Sequence, residues 1–359
     1  RAIITAAEQN GLEPALMAPT GRAANRLAIS SGRDADTIHK ALEASVRETG
    51  RTYFERNEAN PLEEDLIIVD EASMLDISLF YHLLCALKDG ARLILVGDID
   101  QLPPVGAGEP LKDLMSWGYV PIVRLKRIFR QEEGSGIVEN AALIRKGEMC
   151  VPDEAGEFRI VYAADDEDAY RIVMDLCREL NYGNEENKML LQVLSPMYRG
   201  VCGVDHLNES LQEMIHGEKV PDGMKFFPGD KVMQTRNDYE KGIYNGDVGT
   251  VWTATPQKVF VRYFDKEVVY EGEERFDLRL AYAVTVHKSQ GSEYETVIFI
   301  LRPSQHNMLQ RNLLYTGVTR ARKNTILVTA PDALRRALAI QHTGNRYSLF
   351  LPFLNHEAL

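Results

Sequence analysis

Two short apolar runs in the first third of the chain each end in acid. Leu66–Val69 is followed by Asp70-Glu71-Ala72-Ser73, and Leu93–Val96 by Gly97-Asp98-Ile99-Asp100-Gln101-Leu102-Pro103-Pro104-Val105. A continuous apolar run of this length, bounded by turn formers, suits a strand buried on both faces of a parallel sheet. Asp76–Leu87 lies between the runs and reads as an amphipathic helix. The order strand, helix, strand predicts a right-handed parallel crossover. Carboxylates at the ends of neighbouring parallel strands stand where such sheets take nucleotides. There Asp70 is suited to hold Mg²⁺, Glu71 to orient an attacking water, and Gln101 to sense a terminal phosphate.

The usual companion of these carboxylates is missing from the sequence. It contains no Gly-x-x-x-x-Gly-Lys-Ser/Thr run and no Gly-Lys dipeptide. That glycine turn and lysine form the phosphate cradle of nucleotide motors. Arg1–Gln9, rich in Ala and Ile and stopped by Asn10-Gly11, reads as the helix that such a loop would precede. The expectation is a piece beginning just downstream of the loop, deficient in ATP hydrolysis by itself.

A chain of 359 residues, 45% hydrophobic and 26% charged, predicts two or three ordinary globular domains. No apolar run approaches the ~20 residues of a transmembrane helix. Cys85, Cys150, Cys177 and Cys202 are far apart and read as reduced thiols, and the eight His lack zinc-ligand spacing. A net charge of −12 argues against an indiscriminate nucleic-acid coat. It leaves room for a motor that holds a few phosphates in one groove, and Arg124–Arg130 and Arg320–Lys323 are local basic clusters.

Residues 12–19 read as a strand, after which Thr20-Gly21-Arg22 opens an Ala-rich helix. Thr20 suits either a helix N-cap or a phosphate contact. Thr37-Ile38-His39-Lys40 follows in a helix, and residues 47–64 are polar and turn-rich around Tyr53-Phe54. Gln192–Pro196 is a further strand. Lys231–Thr235, Gly249–Thr253, Lys258–Phe264 and Glu267–Tyr270, with an Asn245-Gly246-Asp247 turn, predict a small β-barrel over 229–280. Tyr244, Trp252, Phe260 and Phe264 suit either its core or stacking on a single strand. Thr285-Val286-His287-Lys288-Ser289-Gln290-Gly291-Ser292-Glu293 lies between apolar segments, and its glycine lets backbone approach a phosphate. Leu314–Ala321 and a strand at Thr325–Thr329 follow.

In order along the chain, these runs resemble motifs Ia, II, III, IV, V and VI of superfamily 1 helicases. The wording is similar to the RecD-like branch, which includes the exodeoxyribonuclease V alpha subunit and RecD/TraA proteins. Pro19-Thr20-Gly21-Arg22 resembles motif Ia, Asp70-Glu71 motif II, and the Gln101–Pro104 loop motif III. Arg124–Gln131 resembles motif IV, with Arg130 its best match and Arg127 the alternative. Ser195–Gly200 continuing into Gly203–Asn208 is similar to a RecD-like stretch, Thr285–Glu293 resembles motif V, and Arg320 falls in motif VI.

The resemblance implies an ATP- and Mg²⁺-dependent DNA helicase travelling 5′→3′ on single-stranded and forked DNA in recombination and repair. A bacterial cytoplasmic location, partners among exonuclease-complex subunits and no membrane are implied with it. The implied fold is two RecA-like P-loop NTPase α/β domains, parallel sheets flanked by helices, with an SH3-like β-barrel insertion. Residues 1–132 would form the first motor domain, with a β-hairpin pin near 47–64. Residues 133–228 and 281–345 would form the second, 229–280 the barrel and 346–359 a tail. ATP would lie between the motor domains. Asp70, as Mg²⁺ ligand, Glu71 and Gln101 would act from one side, with Arg130, Arg320, Gly291 and Glu293 from the other. The strand would meet Pro19, Thr20, Gly21, Arg22, His39, Pro103, Asn208, Thr285, His287 and Ser289. Two alternatives stay open: the helicase part of a conjugative relaxase, and a passive single-strand-binding module with a vestigial ATP site.

Overall fold

A computed structural model describes residues 1–46, 52–125, 135–221, 223–238, 240–263, 266–341 and 350–355. The chain divides into two units, Arg1–Leu125 with Gly344–Leu359, and Lys126–Thr343.

The first unit runs α1 (Ala2–Gln9), β1 (Pro14–Ala18), α2 (Gly21–Ser31), β2 (Asp36–Thr37), α3 (Ile38–Ala41), β3 (Ala44–Val46) and β4 (Thr52–Phe54). It continues through β5 (Leu66–Val69), α4 (Ile77–Cys85), β6 (Arg92–Leu95) and α5 (Pro110–Trp117). β2, β1, β5 and β6 lie side by side in one parallel sheet. All four residues of β5 are buried, and alternation divides them between the faces. Leu66 and Ile68 pack with Ile4 and Ala7 of α1. Ile67 and Val69 pack with Phe80 and Leu83 of α4. Local chemistry starts the helices: Thr20 accepts from the Ala23 amide at 3.3 Å and Asp76 from the Leu79 amide at 2.8 Å. The antiparallel pair β3–β4 is registered from Ala44 opposite Phe54 to Val46 opposite Thr52. Its pairing therefore starts ahead of the expected 47–64, and residues 47–51 lie outside the described residues.

In the second unit, α6 (Gly136–Lys146), β7 (Phe158–Tyr162), α7 (Asp166–Glu179), α8 (Glu185–Leu190), β8 (Leu191–Ser195) and α9 (Val204–His216) come first. Five strands follow: β9 (Lys231–Gln234), β10 (Val248–Ala254), β11 (Lys258–Arg262), β12 (Glu267–Glu271) and β13 (Leu278–Leu280). β14 (Ala283–Thr285), β15 (Tyr294–Leu301), α10 (Arg311–Val318), β16 (Ala321–Thr329) and α11 (Pro331–Ala339) complete the unit. The large sheet has the order β14-β8-β15-β16-β7 and is parallel throughout. Val193, Ile298, Ile300, Ile326 and Val328 form its buried centre.

β9 to β13 make a separate antiparallel sheet ordered β12-β11-β10-β9-β13 around Phe226, Val251, Val259, Val261, Tyr270 and Leu278. A bulge at Trp252 separates the pairs Val251–Val261 and Thr253–Phe260. The chain enters this insertion at Asp230-Lys231 and leaves at Leu280-Ala281, where the Ala281 amide donates to the Lys231 carbonyl at 2.8 Å. Both junction charges are buried. Lys231 Nζ donates to the Leu191 carbonyl and to Gln192 Oε1, each at 3.0 Å. Asp230 accepts from Gln212 Nε2, the Phe227 amide and the Tyr282 hydroxyl, and pairs with His216 Nε2 at 2.9 Å.

The chain closes with α12 (Phe350–Leu354), which packs on α5 of the first unit, Phe350 meeting Phe80 edge to face at 5.8 Å. The segment expected as a tail thus contributes a helix to that unit. All four cysteines are free. Among the described residues no helix is long and apolar enough to cross a membrane.

Candidate functional site

Register explains why the motif residues of the first unit meet. β1 pairs with β5 up to Met17 opposite Val69, and the Asp70 amide donates to the Met17 carbonyl. The turns after both strands therefore open side by side at the same sheet edge. Asp70 Oδ1 accepts from the Glu71 amide at 2.9 Å. Glu71 itself adopts φ 51°, ψ 36°, left-handed for a residue with a side chain, and is only 7% exposed. Such a conformation costs roughly 1–2 kcal/mol and persists where its surroundings impose it.

Two neighbours impose it. The Ala72 amide donates to the Val96 carbonyl at 2.8 Å, tying the acidic turn to the end of β6. Gly97 follows, and a Cβ there would lie 2.8 Å from the Ser73 nitrogen and 3.2 Å from that of Ala72. Only glycine allows this approach. The loop after Gly97 then turns so that Gln101 and Pro103 line a small cleft with Ser73 and Leu75. Glu71 Oε1 lies 3.8 Å from Arg26 Nη2.

Among the described residues no group of three or more His, Cys, Asp or Glu could hold a metal. The donor set at Asp70-Glu71 fits Mg²⁺, which takes most of its ligands from water and substrate phosphates and few from protein. The Ser73 hydroxyl is buried there with no hydrogen-bond partner among the described residues, a group that a ligand oxygen would satisfy.

Pro19, Thr20 and Arg22 are half-buried at the same sheet edge, and Gly21 is buried at the start of α2. Thr20 is the N-cap of α2; accepting from Ala23 leaves its hydroxyl proton to donate. His39 packs its ring 5.9 Å from Phe54 of the β3–β4 hairpin, and Phe54 meets His82 at 4.5 Å.

In the second unit Thr285 Oγ1 accepts from the Lys288 amide at 3.2 Å, just ahead of the single turn His287–Ser289, and His287 is half-buried. Gly291 takes φ 73° and lets the chain turn back into β15. Glu293 pairs with Arg322 at 3.5 Å. Arg320 is 2% exposed and donates to the carbonyls of Thr316 and Ser292, both at 3.1 Å, bracing α10 against the Gly291–Ser292 turn.

Two of the expected strand contacts are buried and bonded within their own unit. Asn208 is buried and exchanges both amide hydrogen bonds with the backbone of Ala283, each at 2.9 Å, so it fastens α9 to β14. Ser289 is fully buried and donates to the Val286 carbonyl. Arg130, with its alternative Arg127, lies outside the described residues.

Sequence reasoning missed a groove of about 920 Å³ in the second unit, lined by Tyr198, Thr235, Arg236, Phe276, Arg279 and Lys288 together with Glu273, Glu274 and Asp277. Phe276 is 71% exposed, and Arg279 lies 5.9 Å above the Tyr198 ring. Burial and the neighbouring Arg279 both push Lys288 below its ordinary value. The same two causes, with Arg275, lower Lys225. Three basic and three acidic side chains thus share the groove, and its two exposed rings suit a stackable ligand. Of the four barrel aromatics expected to choose between core and strand, Trp252 is exposed over Arg262, and Tyr244 and Phe260 are half-buried. Phe264 lies outside the described residues.

Family models match in chain order: an AAA domain over residues 1–159, the SH3 domain of ATP-dependent RecD-like DNA helicases over 207–263, and a UvrD-like helicase C-terminal domain over 280–328. The ATP-dependent RecD2 DNA helicase of Deinococcus radiodurans is 38% identical over 353 residues, 97% of this chain and 47% of the relative. The RecBCD enzyme subunit RecD of Mycolicibacterium smegmatis is 32% identical, covering 93% of this chain and 66% of the relative. The chain thus spans about half of one and just under two thirds of the other. A Bacteroides Pif1 helicase in complex with ADP-AlF3 and single-stranded DNA shares the fold with a TM-score of 0.55 at 20% identity, over 96% of this chain and 87% of that one. A Pif1 helicase structure, one that addresses DNA unwinding at forked duplex DNA by two coordinating Pif1 helicases, gives 0.53 at 22%, over 89% and 82%.

Proposed function

The chain belongs to the RecD-like family of superfamily 1 DNA helicases, and from that premise we propose that it is the motor portion of an ATP-dependent 5′→3′ helicase. Its track is single-stranded and forked DNA in recombination and repair, in the bacterial cytoplasm. Subunits of an exonuclease complex are the partners the RecD relatives suggest. The carrying observation is the shared cleft of the first unit. The acidic turn after β5 and the Gln101 loop after β6 are fixed against each other by Gly97 and the Ala72–Val96 hydrogen bond.

In this reading Asp70 ligates Mg²⁺, which when bound neutralises phosphate charge. Glu71, held in its left-handed turn, orients the water and takes its proton. Gln101 reports the terminal phosphate, and Arg130, Arg320, Gly291 and Glu293 are the further groups proposed for ATP. Thr20, Arg22, Thr285 and His287 take strand phosphates, and the Phe276–Arg279 groove takes a further stretch of the strand. The β3–β4 hairpin serves as the pin that parts the duplex. Because this sequence holds no Gly-Lys-Ser/Thr loop, we expect negligible ATP hydrolysis from the 359 residues alone.

The test compares single-strand-stimulated ATP hydrolysis by these residues with that by a longer protein carrying a phosphate loop ahead of them. Turnover only in the longer form, accelerated by oligo(dT), supports the motor. Glu71→Gln in that form is expected to lower turnover about 100-fold or more. A longer form that binds oligo(dT) but never hydrolyses ATP favours the passive binding module.

A further inference from the structure

We infer that Arg26 is a positioning residue through which strand engagement sets the catalytic carboxylate, an inference that rests on the motor reading above. The turns after β1 and β5 lie side by side because those strands are registered neighbours. One turn leads through Thr20 into α2, and the other is Asp70-Glu71. Arg22 and Arg26 stand one helical turn apart, on the same face of α2. Arg22 belongs to the helix start proposed to meet the strand. Arg26 approaches Glu71 Oε1 at 3.8 Å. A single helical turn, about 6 Å long, thus joins the two sites.

At 3.8 Å the guanidinium attracts the carboxylate without a hydrogen bond locking it. The Arg26 side chain is 37% exposed, whereas that of Glu71 is 10% exposed on a backbone fixed by Asp70, Val96 and Gly97. A small shift or rotation of α2 therefore moves the arginine and leaves the acidic turn where it is. Only the Glu71 side chain responds, and its direction decides whether a water is aligned. A phosphate drawn to the amide end of α2 supplies that movement, since it bears on the helix that carries Arg26.

The experiment uses the same longer form as above, with a phosphate loop ahead of these residues. Steady-state ATP hydrolysis is measured with and without saturating oligo(dT), and oligo(dT) affinity by fluorescence anisotropy. Wild type and Glu71→Gln are the controls. If wild type is not stimulated, or Glu71→Gln remains active, the motor reading itself fails. With both controls as expected, Arg26→Ala should bring the stimulated kcat about tenfold down, toward the unstimulated value. The KM for ATP and the oligo(dT) Kd should stay within about twofold, and Arg26→Lys should recover part of the stimulation. Undiminished stimulation in Arg26→Ala overturns the inference. So does a raised oligo(dT) Kd with full stimulation at saturation, which would make Arg26 a strand contact. Should Arg26→Ala fail to fold, Arg26→Gln carries the same decision.

Discussion

His39 was expected to meet DNA, and its surroundings fix which kind of contact it offers. Burial pushes its imidazole below the ordinary value of 6.5, opposed only in part by the carboxylate of Asp76. Near neutral pH the ring is uncharged, so it can exchange a hydrogen bond with a phosphate but cannot neutralise it. The sign for stability follows. Between the lowered folded value and 6.5 the unfolded chain binds more protons, so stability rises with pH through that window. The contribution is complete above about 6.5 and is lost as pH falls through the folded value. The Tm of wild type should therefore drop between about pH 7 and pH 5.5 by more than that of His39→Gln. Equal drops would show that His39 is not the titrating group. Nothing in the sequence around Thr37–Lys40 announced this, because Phe54 and Asp76 reach His39 only through the fold. The burial of Asn208 and Ser289 was unreadable for the same reason. Polar residues in a motif-like run read as contacts until their partners, Ala283 for Asn208, are seen to be backbone of the same unit.

Elements with a local cause were legible. Thr20 and Asp76 begin helices by capping, β5 is an unbroken apolar run, and the Asn245-Gly246-Asp247 turn separates β9 from β10. β13 went unread because three residues, Leu278–Leu280, carry no periodicity of their own and are strand only by pairing with β9. α12 was likewise invisible, since its apolar residues gain meaning from α5 and Phe80. The junction of the insertion depends most on non-local partners. Asp230 collects Gln212 and His216 from α9, the amide of Phe227, and Tyr282 just before β14. Asp230→Ala leaves those groups without their buried acceptor and should cost about 3 kcal/mol in urea unfolding. Asp230→Asn, which keeps one acceptor oxygen, should cost less. A loss below about 0.5 kcal/mol for Asp230→Ala would mean that water replaces the carboxylate at no penalty.

At the scale of the whole molecule, net charge does not reveal how charge is arranged locally. The chain carries −12, and in one groove Arg236, Arg279 and Lys288 stand among Glu273, Glu274 and Asp277 beside Tyr198 and Phe276. Composition alone gave no hint of it, because its residues come from four separate stretches of sequence. If the strand runs there, Arg279→Gln combined with Lys288→Gln should weaken oligo(dT) binding about tenfold. The slope of log K against log salt should become shallower by roughly 1.4, the share of two single-strand phosphate contacts. An unchanged slope would exclude the groove from the strand's path. The insertion beside that groove has a mechanical consequence of its own. Its first and last strands, β9 and β13, are antiparallel neighbours, and the Lys231–Ala281 hydrogen bond closes them like a clasp. Tension along the chain reaches that clasp first and bypasses the loops beyond it. The ladder is then loaded like a zipper, one rung at a time, at the end where Lys231 Nζ is pinned to the Leu191 carbonyl and Gln192.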